Sequence, residues 1–152
     1  MKKDVVLIAS DHAGFGLKEK LKRYLAAKGI PVEDLGTAGT ESCDYPVYAY
    51  ALAKKISAGR YKRGILVCYS GIGNSIVANR LPGVRASLCY DRRAAQLTRE
   101  HNDSNVLVLG AGFVGVKKAQ GICDVWLKSS FQGGRHRRRL NLIRKIEKEL
   151  RR

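Results

Sequence analysis

Gly64-Ile65-Leu66-Val67-Cys68 is a strand-length run with no polar side chain on either face, and it ends at a turn rich in glycine. A strand with one wet face alternates apolar and polar residues. An unbroken apolar run needs cover on both faces, which a parallel sheet flanked by helices provides. Comparable β-branched runs lie at 5–10, 31–35, 84–90 and 105–109, so strands are expected there and over 64–69, with helical-period segments between them. Leu17, Leu21, Tyr24 and Leu25 make the stripe of a first helix that Gly29 closes. Pro46 opens a second helix running to about 58, and a third covers about 74–80 before Pro82. Asp91 caps a fourth that runs through His101, and a fifth spans 116–128 with Ile122, Val125 and Trp126 inward. After Gly133-Gly134 a sixth, amphipathic helix carries Leu140, Ile143, Ile146 and Leu150. The fold class is therefore α/β, a five-stranded parallel sheet between two helical layers with an extra C-terminal helix.

With 152 residues the chain suits one domain, 1–152. Its 45% apolar and 28% charged content excludes a disordered or membrane-embedded chain. The apolar run at 5–9 is too short for a signal-peptide core or a membrane span, so a cytoplasmic protein is expected. Cys43, Cys68, Cys89 and Cys123 form no C-x-x-C pair and no zinc spacing with the three histidines, so reduced thiols and no metal are expected. A net charge of +16 would attract nucleic acid, anionic membrane or phosphorylated metabolites alike. From Arg135 onward nine Lys/Arg face two Glu, but no zinc-finger or aromatic RNA-binding motif accompanies them. A solvated basic helix is the simpler reading of that tail, and nucleic acid is not expected as a partner.

In open parallel sheets ligands bind beyond the carboxyl ends of the strands, where strand order reverses. Those ends carry Asp11-His12, Gly36-Thr37, Tyr90-Asp91, Gly110-Ala111-Gly112 and the loop Cys68-Tyr69-Ser70-Gly71-Ile72-Gly73-Asn74-Ser75. Two glycines before a helix start let backbone N–H groups close on an anion. A G-x-G-x-x-G nucleotide motif would need glycine at Ile76, and no Gly-Lys-Ser/Thr of a P-loop is present. A thiol at this point is expected to feel the helix N-terminus, and a modest fall from roughly 8.5 would let it ionise near neutrality. Cysteine phosphatases need arginine six positions after the cysteine, and Asn74 stands there. The donors suit a smaller oxyanion such as an enediolate. A cysteine that only fills its strand, as expected for Cys89 and Cys123, is the plainer alternative, and His101 taken alone reads as a surface residue.

These pieces resemble the type B ribose-5-phosphate isomerase family, with its related galactose-6-phosphate and allose-6-phosphate isomerases. The likeness runs from Asp11-His12-Ala13-Gly14 through Asp44-Tyr45-Pro46, Cys68 to Gly73, Ala78-Asn79-Arg80, Gly83-Val84-Arg85-Ala86 and His101-Asn102-Asp103-Ser104-Asn105 to Gly133-Gly134-Arg135-His136. It implies a Rossmann-like three-layer sandwich and a cofactor-free aldose-ketose isomerase of the pentose phosphate pathway. It also implies a homodimer, or a tetramer of two such dimers, whose sites draw on both chains. In that likeness Cys68 takes the proton from C2, Ser70 exchanges a proton with a substrate oxygen, and donors from Gly71, Gly73, Asn74 and Ser75 hold the enediolate. His101 aided by Asp11 opens the furanose ring. His12, Arg135 and Arg139 bind phosphate, and Tyr45 and Asn102 contact the sugar. The basic helix at 135–152 is assigned to a subunit interface. Three positions depart from the family pattern: Tyr69 for glycine, Ser70 for threonine, and Gly112 where many members carry arginine. The alternatives are a phosphorylated hexose as substrate, a basic nucleic-acid-binding module, and a thiol hydrolase using Cys68 with His101.

Overall fold

The computed structural model describes residues 4–151. In chain order its elements are β1 (Val6–Ser10), α1 (Phe15–Ala27), β2 (Val32–Asp34), α2 (Tyr45–Ser57), β3 (Arg63–Cys68) and α3 (Ile72–Ala78). Then follow β4 (Ala86–Leu88), α4 (Arg92–Asn102), β5 (Val106–Gly110), α5 (Val116–Lys128) and α6 (Arg135–Leu150). The five strands are all parallel, in the order β2-β1-β3-β5-β4. From β1 the chain moves outward to β2 and then returns to β3 on the other side, so the order reverses between β1 and β3.

Successive side chains of a strand point to opposite faces, and the core divides accordingly. Ile8, Ile65, Val67, Leu107 and Leu109 meet Leu21, Leu25, Ile122 and Trp126 on the side of α1, α4 and α5. Leu7, Ala9, Leu66, Val106 and Val108 meet Ala49, Leu52 and Ala53 on the side of α2 and α3. The expected α/β class is what forms, with helices on both faces.

Element ends shift for local reasons. Asp44 sits just ahead of α2 in an extended conformation, which puts Tyr45 inside the helix alongside Pro46. α3 begins at Ile72 rather than Asn74, because Gly71 at φ 83° turns the chain two residues earlier. β4 has only three residues, and it starts at Ala86, not Val84, where the Arg85 N–H goes to the Asn105 side chain at 2.8 Å. Cys123 lies on α5, not on a strand, and fills the core there. Asp91 does cap α4, accepting the Ala94 N–H at 2.7 Å.

One buried cation escaped the apolar pattern. Lys18 on α1 is fully buried, and its Nζ donates to both Asp34 carboxylate oxygens at 2.7 Å and to the Thr37 carbonyl at 2.6 Å. Burial pushes the Asp34 carboxyl up, but the bonds from Lys18, Lys22 and the Gly36 N–H outweigh it and hold Asp34 below the usual carboxylate range. This pair ties α1 to the end of β2, the segment that leads into the loop beside His12.

Candidate active site

Cys68 is the last residue of β3, beside the reversal of strand order, with 4% of its surface exposed. The chain then turns through Gly71 into α3. Gly71 adopts the left-handed region that side chains resist. A β-carbon there would also strike the Leu88 side chain, so glycine suits this turn best. The turn brings the Gly71 N–H to 3.2 Å from Cys68 Sγ. Ser70 Oγ accepts the Ile72 N–H at 3.2 Å, and its carbonyl accepts the Tyr90 hydroxyl at 2.7 Å. Ser75 Oγ donates to the Ile72 carbonyl at 2.8 Å. Asn74 is 1% exposed, and neither polar atom of its amide has a partner among the described residues. A buried amide in that state reserves a donor and an acceptor for a ligand or a water.

The expected acidity of the thiol is corrected by this geometry. Burial pushes the Cys68 thiol above its ordinary value, and the Asp11 charge adds to the rise. The N–H groups of Gly71, Asn74 and Ser70 pull it down, but less. Loss of water around the sulfur outweighs the hydrogen bonds that favour its anion. Cys89 and Cys123 lie deeper without such donors, and burial pushes both to about 12. Cys68 is thus set apart from the filler cysteines by its donors.

Asp11 and His12 follow β1 at the same edge. Asp11 is buried and accepts the Gly14 N–H at 3.0 Å, which fixes its carboxylate at the start of α1. His12 Nδ1 lies 3.1 Å from both the amide nitrogen and the carbonyl oxygen of Cys43, so the ring is held in either tautomer. A protonated ring would donate Nδ1–H to that carbonyl and keep Nε2–H as a second donor. The Tyr45 ring lies over Gly73, where a β-carbon would overlap it. Cys68, Ser70, Gly71, Gly73, Asn74, Ser75, Asp11, His12 and Tyr45 therefore gather at one edge.

The other assigned residues do not join them within the chain. His101 and Asn102 end α4, before β5 begins at Val106, whereas Cys68 is level with Gly110 at the far end of that strand. Four strand steps separate the two levels, roughly 13 Å at about 3.3 Å each. The Cys68–His101 dyad of a thiol hydrolase is not formed in one subunit. At its own edge His101 stacks on His136 of α6, centroids 4.2 Å apart and planes 11° from parallel. Burial and the charges of His101, Arg135 and Arg139 hold His136 below the usual histidine range. His136 carried no role in the sequence reading. Its motif Gly133-Gly134-Arg135-His136 was the available signal. Arg135 and Arg139 are exposed, one turn apart on α6.

Two of the departures turn out to be one feature. The Tyr69 ring occupies the space that a β-carbon on Gly112 would need. The Gly112 N–H donates to the Tyr69 carbonyl at 2.9 Å, so the two positions face each other across the β3 and β5 ends. Tyr69 meets Phe113 edge-on at 6.0 Å, and Phe113 stacks on Tyr90 at 5.2 Å. This aromatic wall stands beside Cys68, with Tyr69 63% exposed. Gly112→Arg is expected to expel Tyr69 from the wall and lower stability by about 0.5–1.5 kcal/mol, the worth of an aromatic pair. In a Tyr69→Gly background the same change should cost almost nothing. Thermal unfolding of the four proteins measures the coupling, and equal costs in both backgrounds would refute it.

An α/β subunit with a thiol beside a ring of peptide donors at its strand-order reversal belongs to the class of scaffolds that can deprotonate carbon and hold the anion formed. The comparisons narrow that class. The family description Ribose/Galactose Isomerase matches residues 6–143, and the chain belongs to that family. It is 43% identical over 142 residues to ribose-5-phosphate isomerase B of Escherichia coli, covering 93% of this chain and 95% of that protein. The structure of Clostridium thermocellum ribose-5-phosphate isomerase B superposes with a TM-score of 0.94 at 44% identity, covering 96% of this chain and 99% of that one. The Mycoplasma genitalium ribose-5-phosphate isomerase B with bound ribulose-5-phosphate gives a TM-score of 0.91 at 38% identity, covering 95% and 97%.

Proposed function

We propose that this chain is an aldose-ketose isomerase that interconverts ribose 5-phosphate and ribulose 5-phosphate through an enediolate. The observation that carries the reading is Cys68 Sγ, at the strand-order reversal, with the Gly71 N–H 3.2 Å away in a chain of this family. The thiolate of Cys68 takes the proton from C2 and returns it to C1. Ser70 Oγ exchanges a proton with the substrate oxygen, and the N–H groups from Gly71 to Ser75 hold the enediolate. His12 takes the phosphate and Tyr45 the sugar.

The working unit is a homodimer in which a second copy brings its own His101, Asn102, Arg135 and Arg139 over the Cys68 edge. The partner subunit's His101 opens the furanose ring, aided by Asp11, and the partner's Arg135 and Arg139 complete the phosphate site. Support comes from the separation of the two groups within one chain, and from exposed apolar faces beside both. Leu142, Ile143, Ile146 and Leu150 line α6, and Val47, Tyr50, Ile72 and Ile76 surround the cysteine loop. The free state of Cys43, Cys68, Cys89 and Cys123 supports a reducing compartment, the cytoplasm.

The test is turnover by purified protein in buffer containing a chelator, with ribose 5-phosphate, allose 6-phosphate and galactose 6-phosphate offered side by side. Ribose 5-phosphate is expected to give the highest kcat/KM and the chelator to change nothing. Absence of turnover with all three would end this reading.

A further inference from the structure

The opposite edge of the sheet, where the strands begin, holds a polar cavity of about 440 Å³ whose lining residues carry no role in the proposed isomerase reaction. Four cations line it, Lys62, Arg63, Arg85 and Arg99, and among the described residues one carboxylate, Asp103. That carboxylate is already divided: Arg85 Nη2 lies 3.3 Å from one oxygen and Arg99 Nη1 3.0 Å from the other. Arg63 Nη1 donates to the Leu127 carbonyl at 2.6 Å, a neutral partner, and its guanidinium lies over the Trp126 ring. Lys62 is exposed and has no carboxylate partner among the described residues. Arg99 is 7% exposed, and its Nε–H is buried without a partner.

Arg63, Arg85 and Arg99, like charges held partly out of water, repel unless an anion lies between them. Burial and the charge of Arg99 push Arg63 below the usual arginine range, and burial does the same to Arg85. Asp103 cannot neutralise four cations. Arg85 already directs its donors to the carbonyls of Asn102, Asp103 and Gly83 and to the Asp103 carboxylate, so the planar donors left for phosphate oxygens are those of Arg63 and Arg99, with the exposed Lys62 adding a movable charge at the rim. The volume exceeds what inorganic phosphate fills and lies within the range of small-ligand pockets.

We infer that this cavity is a second anion site, built for a phosphate group and separate from the one at the Cys68 edge. Arg63 and Cys68 stand five steps apart along β3, roughly 16 Å. One ligand can therefore occupy the cavity while substrate occupies the catalytic edge of the same subunit. The chemistry fits free phosphate or the phosphate of a metabolite.

The experiment is a calorimetric titration of the full chain with inorganic phosphate, ionic strength being held constant with sodium chloride. Wild-type protein is expected to bind two phosphates per chain. The Arg135→Ala/Arg139→Ala variant, weakened at the catalytic edge, should keep one. Adding Lys62→Glu to that variant should weaken the remaining site at least tenfold, and Arg63→Gln, which leaves an amide to hold Leu127, should act in the same direction. Lys62 is exposed, so its change leaves the fold intact, and a circular dichroism spectrum checks this. A single phosphate in the wild type that vanishes in the double arginine variant would overturn the second site. So would a residual phosphate indifferent to both Lys62→Glu and Arg63→Gln. Isomerase turnover, read separately with ribose 5-phosphate, stands or falls independently of either result.

Discussion

Cys68→Ala abolishes isomerisation, with kcat falling by about 10³ or more, while the circular dichroism spectrum and oligomeric state stay those of the wild type. A positioned base contributes typically about 10²–10⁴ in rate, and alanine leaves no group at that position to take the C2 proton. Removing one sulfur from the end of β3 leaves the strand ladder untouched, because Cys68 pairs with Gly110 through its backbone. Cys68→Ser is expected to be nearly as inactive, since a hydroxyl ionises far less readily than a thiol. The thiol's own titration gives the pH dependence its sign. Burial places its pKa above the ordinary value, so below that value the thiolate is the minor form and each unit of pH multiplies it about tenfold. The kcat/KM of the wild-type enzyme should therefore climb through neutrality into the alkaline range without levelling off near pH 7. Turnover in Cys68→Ala above a tenth of wild type, or a rate that is flat from pH 6 to 8, would remove Cys68 from the role of base.

The parts of this site that the sequence made legible are those set by neighbours along the chain. The Cys68 loop, the Asp91 cap and the span of α5 follow from residues within a few positions of one another. What stayed hidden depends on residues brought together by the fold. Lys18 stands next to an apolar stripe and its carboxylate comes from β2, sixteen positions away, so nothing local marks it as buried. His136 stacks on His101 of another helix, a contact that no local pattern marks. The acidity expected of Cys68 does not hold because spacing shows the donors at the start of α3 but not how little water reaches the sulfur. Tyr69 and Gly112 looked like two unrelated departures until the parallel pairing of β3 and β5 set one ring over the other residue's α-carbon.

The largest gain expected from any combination of variants comes from mixing two inactive chains. One parent carries Cys68→Ala; the other carries His101→Ala and Arg139→Ala. Each homodimer should be inactive, because every site in it lacks either the base or the ring-opening and phosphate-binding groups. In the proposed two-fold dimer the interface repeats itself, so each site would take the Cys68 edge of one chain and the His101 edge of the other. A heterodimer of the two parents then has one site with every residue intact and one with every change. Chains bearing different affinity tags, co-expressed and purified through both tags in turn, should show about half the wild-type activity per dimer. If instead each subunit housed a complete site of its own, the same heterodimer would contain none that is whole and would stay as inactive as its parents. The separation of Cys68 from His101 along β5 forbids the second arrangement unless the chain refolds. An inactive heterodimer of confirmed composition, made from two inactive parents, would therefore overturn the site shared between chains.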